Sequence, residues 1–357
     1  MKKTIIHFAY QLGHGGAETM LVSLVKELTE YRNIVVIMGS DTGLKDELKC
    51  DRFIQMNLNN MASFLRAIPK LRAITKEYKA DLVHTHLFWP TIIARIATPK
   101  KVHLVTTIHT SVASASEYKS WYIRQLDVLT YNLRKSVIIA VSKGALNEYF
   151  NFLKLKPSKS YVLNTFVDTS RFKPLVRDEN NSTDEFKIVS VGALRQSKNF
   201  EFLVKAFSKI NDNRFLLHIY GRGDQQAQLQ NMINSSGANV KLMGEVTNIQ
   251  AILSNYDLFT LSSRYEGFSL SVLEAMAMQV PLLLSDISSF REQCEDSTIY
   301  FDLDNTSDFI NKLKEIQINP AAVKIRKENA YQRIMKNFTL EHHLVKLRSI
   351  YQEIFSL

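Results

Sequence analysis

The stretch Ser262-Ser263-Arg264-Tyr265-Glu266-Gly267-Phe268-Ser269-Leu270-Ser271-Val272-Leu273-Glu274-Ala275-Met276 reads as a turn from a strand into a helix. The apolar run Leu258–Leu261 before it has the length of a buried strand, and Ser271–Met278 has helical character. Gly267 permits the tight turn between them. The amides of Phe268, Ser269 and Leu270 fall at the helix start, where N–H groups lack intrahelical acceptors and the dipole favours a phosphate or a sugar hydroxyl. Glu266 and Glu274 stand on either side, seven residues between them. A carboxylate accepts two hydrogen bonds, which suits a ribose or sugar diol. Glu274 lies among Leu273, Ala275 and Met276, so its charge requires a polar partner. A purely structural pair of carboxylates is the bland alternative.

Outward from this turn the chain alternates β-branched runs with amphipathic segments, the pattern of βαβ units. Strands are expected at Thr4–Phe8, Asn33–Met38, Leu82–Thr85, Leu104–Ile108 and Val137–Val141 in the first half. In the second half they are expected at Lys187–Val191, Phe215–Tyr220, Val240–Met243, Leu258–Leu261 and Pro281–Leu284. The polar run Arg177–Glu185 reads as a linker or an exposed loop. The α/β expectation is therefore two Rossmann-like domains, 1–170 and 171–338, with parallel sheets facing across a deep cleft. A final amphipathic helix, 339–357, carries Leu344, Leu347, Ile350, Tyr351 and Ile354 at helical spacing and is placed as possibly crossing back to the first domain.

Two further loops have the composition of anion sites. Gly13-His14-Gly15-Gly16-Ala17-Glu18 follows the first strand. Glycines there let backbone approach a ligand, though the spacing is not the dinucleotide one, and a structural turn is an equal reading. Gly192-Ala193-Leu194-Arg195-Gln196-Ser197-Lys198-Asn199 puts two cations on a strand-to-helix loop, where they could neutralise a leaving diphosphate. Alone, it reads better as an exposed loop with ordinary basic residues.

Charge adds a third line. The net charge of +10 lies wholly in residues 1–170, with 23 Lys and Arg against 13 Asp and Glu. That half suits an anionic partner. Phe64–Lys79 and Tyr118–Lys135 interleave cations with aromatic and apolar residues, as a helix lying on an anionic membrane does and as an ordinary core-facing helix with a solvated basic side equally does, although Pro69 interrupts the first. The Met1–Phe8 stretch is expected to be a strand rather than a signal peptide, and no apolar run is long enough to span a bilayer. Cys50 and Cys294 form no disulfide or zinc pattern and fit a reducing, cytoplasmic setting.

Taken together, these motifs resemble the retaining GT-B glycosyltransferases of glycosyltransferase family 4, the group 1 enzymes, across nearly the whole chain. The Glu266–Glu274 stretch is similar to their paired-glutamate signature. Gly15-Gly16-Ala17-Glu18, Thr106-Thr107-Ile108-His109 and Ala140-Val141-Ser142 are similar to successive first-domain segments. Gly192 with Arg195 and Lys198, Tyr220-Gly221-Arg222-Gly223, and Pro281 with Ser285-Asp286 and Glu292 are similar to second-domain segments.

The resemblance implies roles. Glu274 binds the ribose. Glu266 and the amides of Phe268, Ser269 and Leu270 hold donor sugar and phosphates, with Gly192, Gly221 and Gly267 shaping the loops. Arg195 and Lys198 stabilise the departing diphosphate, Gly15 and Gly16 admit the donor phosphate, and His109 contacts the donor sugar, a residue otherwise read as a packed strand-end histidine. Catalysis would fall to His109, Glu266, Arg195 and Lys198, with front-face attack, no metal and no cofactor. Three positions depart from the family pattern: Ala193 stands where an arginine is common, Gln279 where a glycine is frequent, and Asn164-Thr165 only approximates the usual hinge.

Other chemistry ranks lower. Asp302-Leu303-Asp304 is read as a turn with helix-capping aspartates rather than a metal triplet. His84 and His86 alternate on a strand without a third zinc ligand in sight. The expected function is transfer of a sugar, from a UDP-sugar or a GDP-sugar, to a glycan or polyprenyl-diphosphate-linked acceptor at the inner face of the plasma membrane during bacterial cell-surface glycan synthesis. The rivals are a nucleotide-sugar epimerase of the same architecture and a basic nucleic-acid-binding protein; no nucleic-acid motif is present.

Overall fold

The computed structural model describes residues 2–13, 15–58, 61–112, 115–174 and 184–356. The expected linker falls mostly outside them, at 177–183. The chain divides into two compact units, residues 1–165 with 341–357, and residues 166–340. The division falls after Thr165 rather than at 170 because the next residues already belong to the second unit: the Val167 amide donates to the Phe338 carbonyl at 2.9 Å.

Among the described residues the first unit holds a seven-stranded parallel sheet in the order β3-β2-β1-β4-β5-β6-β7. Its strands are β1 (Thr4–Ala9), β2 (Arg32–Ile37), β3 (Arg52–Gln55), β4 (Leu82–His86), β5 (His103–Ile108), β6 (Val137–Ala140) and β7 (Ser160–Val162). The central strands are buried along their length, as a sheet covered on both faces requires. The covering helices include α1 (Gly16–Glu27), α2 (Met61–Glu77), α3 (Phe88–Ala97), α4 (Trp121–Leu133) and α5 (Lys143–Phe152). Contrary to expectation, α2 runs unbroken through Pro69. Pro69 is exposed, so the Leu65 carbonyl it leaves without a helical donor lies on a face open to water.

The last helix, α13 (Leu340–Phe355), buries Leu344, Leu347, Ile350, Tyr351 and Ile354. Arg348 Nε reaches Glu30 Oε1 at 2.5 Å, and the Tyr161 hydroxyl donates to Glu353 at 2.7 Å. These contacts fasten it within the first unit.

The second unit holds a six-stranded parallel sheet in the order β10-β9-β8-β11-β12-β13 among the described residues. The strands are β8 (Phe186–Val191), β9 (Phe215–Tyr220), β10 (Val240–Gly244), β11 (Leu258–Leu261), β12 (Leu282–Ser285) and β13 (Ile299–Phe301). The helices of this unit are α6 (Phe200–Phe207), α7 (Gln226–Ser236), α8 (Ile249–Leu253), α9 (Leu270–Ala277), α10 (Ser288–Cys294), α11 (Thr306–Ile318) and α12 (Pro320–Asn337) among the described residues. The Asp302–Asp304 triplet is a turn, with the Asp304 amide on Asp302 Oδ1 at 2.9 Å. The α11 cap is not an aspartate but Asn305, which accepts from the amides of Ser307 and Asp308.

Each sheet reverses its winding once, between β1 and β4 and between β8 and β11. The chain leaves neighbouring strands in opposite directions there, which opens a crevice at the carboxyl ends. The singled-out loops follow these strands.

Candidate active site

In the second unit two loops meet at the β8/β11 switch point. The loop after β8 leaves through Gly192, whose amide donates to the Tyr220 carbonyl at 3.0 Å. Gly221 has φ +141°, and a Cβ there would lie 2.0 Å from the Gly192 carbonyl oxygen, so only glycine fits. The loop then forms a 3-10 turn, Gln196–Lys198, and Asn199 adopts φ +52° before α6. The β11 loop is fastened to it by the Arg264 amide on the Ser197 carbonyl at 2.9 Å and by Ser262 Oγ on the Asn199 carbonyl at 2.8 Å.

These bonds bring Lys198 to Glu266. Lys198 Nζ lies 2.6 Å from Glu266 Oε1, which also accepts from Ser263 Oγ at 2.7 Å. Both side chains are largely shielded, at 17% and 14% exposed, so the pair is held by more than a surface contact. Arg195 is exposed on the same loop.

Glu274 sits on α9, half-buried. Burial pushes its carboxyl up to about 8, against a smaller opposing pull from the Arg171 guanidinium. The carboxyl has no hydrogen-bond partner among the described residues, which leaves it open to a ligand, and at this value it is mostly protonated at neutral pH. One expectation is corrected: the Ser269 amide is not open to a ligand. It donates to Gln293 Oε1 at 3.0 Å, and Gln293 Nε2 returns a bond to the Ser269 carbonyl at 2.8 Å. The amides of Phe268 and Leu270 have no acceptor among the described residues.

In the first unit, Gly15 is the N-cap of α1, and a Cβ on it would meet the Glu18 carboxylate at 2.3 Å. That carboxylate complements the positive end of the helix. His14 lies outside the described residues. His109 follows β5, its Nε2 3.1 Å from His86 Nδ1. Burial, with His343 nearby, lowers His109 to about 4, so the ring is neutral at physiological pH. A cavity of about 20 Å³, room for one water, is lined by His84, His86, Thr107, His109 and His343.

The third histidine beside His84 and His86, absent from the local sequence, is His7. The β1/β4 register pairs it with His84, and ligand atoms of the three lie within 4.8 Å of one another. Their arrangement is a stack rather than a coordination shell. The His84 and His86 rings are 4.5 Å apart and 29° from parallel, so their in-plane lone pairs run side by side. His84 is also engaged at both nitrogens, by the Tyr351 hydroxyl and Thr107 Oγ1, each at 2.6 Å. Period-2 alternation marks His84 and His86, but only the register with β1 adds His7.

Known proteins share this organisation. Residues 14–171 match the family described as Glycosyltransferase Family 4, and residues 172–333 match Glycosyl transferases group 1. The chain is 27% identical over 310 residues to the O-antigen biosynthesis glycosyltransferase WbnH of Escherichia coli, covering 85% of this chain and 86% of that one. It is 24% identical over 344 residues to the N-acetylgalactosamine-N,N'-diacetylbacillosaminyl-diphospho-undecaprenol 4-alpha-N-acetylgalactosaminyltransferase of Campylobacter jejuni, covering 91% and 93%. Among solved structures, Anabaena HepE in complex with UDP and glucose superposes with a TM-score of 0.86 at 17% identity, covering 98% of this chain and all of that one. Sucrose-phosphate synthase from Thermosynechococcus elongatus gives 0.84 at 16% identity, covering 99% and 100%. The fold is that of the GT-B enzymes.

Proposed function

The chain belongs to the group 1 glycosyltransferases of family 4, and on that premise we propose that it moves a sugar from a UDP-sugar to a polyprenyl-diphosphate-linked glycan with retained anomeric configuration. The setting is cell-surface glycan assembly, with the protein peripheral at the cytoplasmic face of a membrane. Among the described residues no helix is long and apolar enough to cross one.

The observation that carries this reading is the Lys198–Glu266 pair together with the carboxyl of Glu274, which is without a hydrogen-bond partner among the described residues. Glu274 accepts the ribose hydroxyls. Lys198 and Arg195 face the diphosphate, and because Glu266 holds Lys198 at 2.6 Å, the cation is preorganised for charge that develops as the glycosidic bond breaks. Lys198, held by Glu266, and Arg195 on the same loop, with the amides of Phe268 and Leu270, make a metal dispensable. Glu266 also meets the donor sugar, and His109 contacts it near the reacting carbon. Attack comes from the face the diphosphate leaves, and the departing oxygen takes the acceptor proton.

Support for the donor and acceptor comes from the relatives: HepE was solved with UDP and glucose, and the Campylobacter enzyme's name specifies a diphospho-undecaprenol acceptor. The test is calorimetry with a panel of nucleoside diphosphates and nucleotide-sugars, without metal, on wild type and Glu274→Ala. UDP-selective binding that the variant loses supports the reading, as does acceptor-dependent, chelator-resistant release of UDP. Interconversion of the donor sugar without any acceptor would instead mark an epimerase.

A further inference from the structure

A helix on a protein surface ordinarily turns its charged side outward. Helix α4 does the reverse. Ile123, Asp127, Thr130 and Tyr131 are buried on its inner side. Its outer side presents Trp121 at 72% exposure, Tyr122 at 54%, Leu129 at 65% and Leu133 at 71%. At 100° per residue these four fall within one third of the helix circumference, interrupted only by Gln125 and Asn132. They are four of the ten exposed large apolar side chains among the described residues, gathered on thirteen residues of chain.

The ridge has a basic rim. Exposed Lys119 and Lys135 flank it in sequence. Arg134 donates to the Thr98 and Val102 carbonyls, which ties the end of α4 to the turn carrying exposed Lys100 and Lys101. Residues 61–135, which contain α2, α3 and α4, hold twelve Lys and Arg against four Asp and Glu. One of those four acids, Asp127, is consumed in a buried pair with Arg95.

The ridge also has a defined place beside the histidines. Tyr118, just before α4, meets Phe88 at 5.1 Å, Phe88 meets Trp89 at 5.0 Å, and Trp89 meets Phe64 at 4.6 Å. This aromatic row begins directly after β4, two residues beyond His86, and its far end adjoins Leu65, exposed at 74%.

We propose that the α4 ridge, with its rim of lysines, is the surface by which this protein docks on an anionic lipid bilayer. Trp121 and Tyr122 enter the headgroup boundary, Leu129 and Leu133 reach the acyl edge, and the lysines meet lipid phosphates. An apolar ridge alone would equally suit a second copy of the chain, but the surrounding positive charge repels a copy and attracts acidic lipid. The inference deepens the lipid-linked-acceptor reading and rests on it for its purpose: docking here sets the carboxyl edge of the first sheet, with His86 and His109, next to the bilayer.

The chain has two tryptophans, so Trp89→Phe leaves Trp121 as the only reporter. Its emission is expected to shift to the blue, and to be quenched by brominated lipid, with vesicles of phosphatidylcholine and phosphatidylglycerol but not with phosphatidylcholine alone. Leu129→Glu with Leu133→Glu weakens co-sedimentation with the mixed vesicles by about tenfold or more, and Lys100→Glu with Lys101→Glu weakens it as well. Turnover of a water-soluble acceptor analogue stays at the wild-type rate in both. An unshifted Trp121 on sedimented protein overturns the proposal. So does a blue shift that grows with protein concentration without lipid while the native mass doubles, which would mean that a second copy covers the ridge. Vesicle binding by a chain that turns over no donor would leave the membrane surface standing and remove the transferase reading; turnover without vesicle binding would do the opposite.

Discussion

The Nδ1 atom of His86 lies 3.1 Å from the Nε2 atom of His109, and the remaining nitrogen of His86 is buried with no protein partner among the described residues. Both rings are held neutral by burial, so one donates and the other accepts. If His109 donated, His86 would carry a buried N–H with no acceptor. If His86 donates, it leaves only a bare lone pair, which is the lesser penalty. His86 therefore fixes His109 as the tautomer protonated at Nδ1, which in the proposed site is the form that donates to a sugar hydroxyl. His86→Phe is expected to lower kcat by about tenfold or more through loss of that alignment, with little change in KM for the donor. Nitrogen-15 shifts should place the His109 proton on Nδ1 in the wild type and distribute it over both nitrogens in the variant. A wild-type proton on Nε2 would sink the assignment.

In the proposed role as ribose acceptor, Glu274 makes donor binding depend on pH below about 8. Its carboxyl is held at about 8, and only the ionised form accepts two hydroxyl hydrogen bonds. UDP affinity should therefore climb as pH rises towards 8, by up to about tenfold per unit, and level off above it. Stability moves the other way. The folded chain holds a proton that the unfolded chain has lost between the ordinary value of 4.5 and about 8, so stability falls as pH rises through that window. Glu274→Gln should bind UDP weakly with no pH slope and should lack the stability decline. Calorimetry and urea midpoints across the range check both; a pH-independent wild-type affinity would contradict the first.

What the sequence made legible was local. The turn from β11 into α9 keeps Gly267, Glu266 and Glu274 within one continuous stretch, so spacing alone exposed it. The strands missed by periodicity, β3 and β7, are four and three residues long, and both are sheet edges. A strand that short offers no alternation to read, and an edge need not be apolar. The histidine stack was illegible for another reason. His7 and His84 are far apart in the chain and meet only through parallel register, and Tyr351 joins them from the final helix. The Ser269 amide was misjudged because its acceptor, Gln293, arrives from α10.

Gln279 is a departure from the family pattern whose consequence is now physical. It sits just past the end of α9 with φ +55°, while the Val280 amide reaches back to the Ala275 carbonyl at 3.0 Å. That is a left-handed helix stop, which favours glycine because a Cβ crowds the backbone there. Gln279→Gly should stabilise the protein by about 1 kcal/mol, a modest rise in urea midpoint, provided the gain in unfolded-state entropy does not cancel it. Gln279→Val should destabilise by more than that, since a branched Cβ is worse placed. Destabilisation by glycine would show that the strain is absorbed elsewhere.

The orientation of α4 depends on a charge pair buried under it. Arg95 of α3 and Asp127 of α4 are 0% and 2% exposed, with Nη1 2.5 Å from Oδ1. The Tyr149 hydroxyl donates to Asp127 at 3.0 Å and accepts from Arg95 at 2.9 Å, the Tyr118 hydroxyl donates to the other carboxylate oxygen, and the Arg95 guanidinium lies 5.1 Å from the Tyr131 ring centre. Removing one partner strands the other, so Asp127→Ala should cost about 3–5 kcal/mol, because Arg95 keeps its charge without a counterion. Replacing both, Arg95→Met with Asp127→Leu, should recover most of the loss, because apolar side chains need no solvation in that space. Urea unfolding of the two variants distinguishes a network that is costly to break from one that stabilises in its own right. A double variant as unstable as the single would mean that the tyrosine hydroxyls, left without their acceptor, carry the penalty.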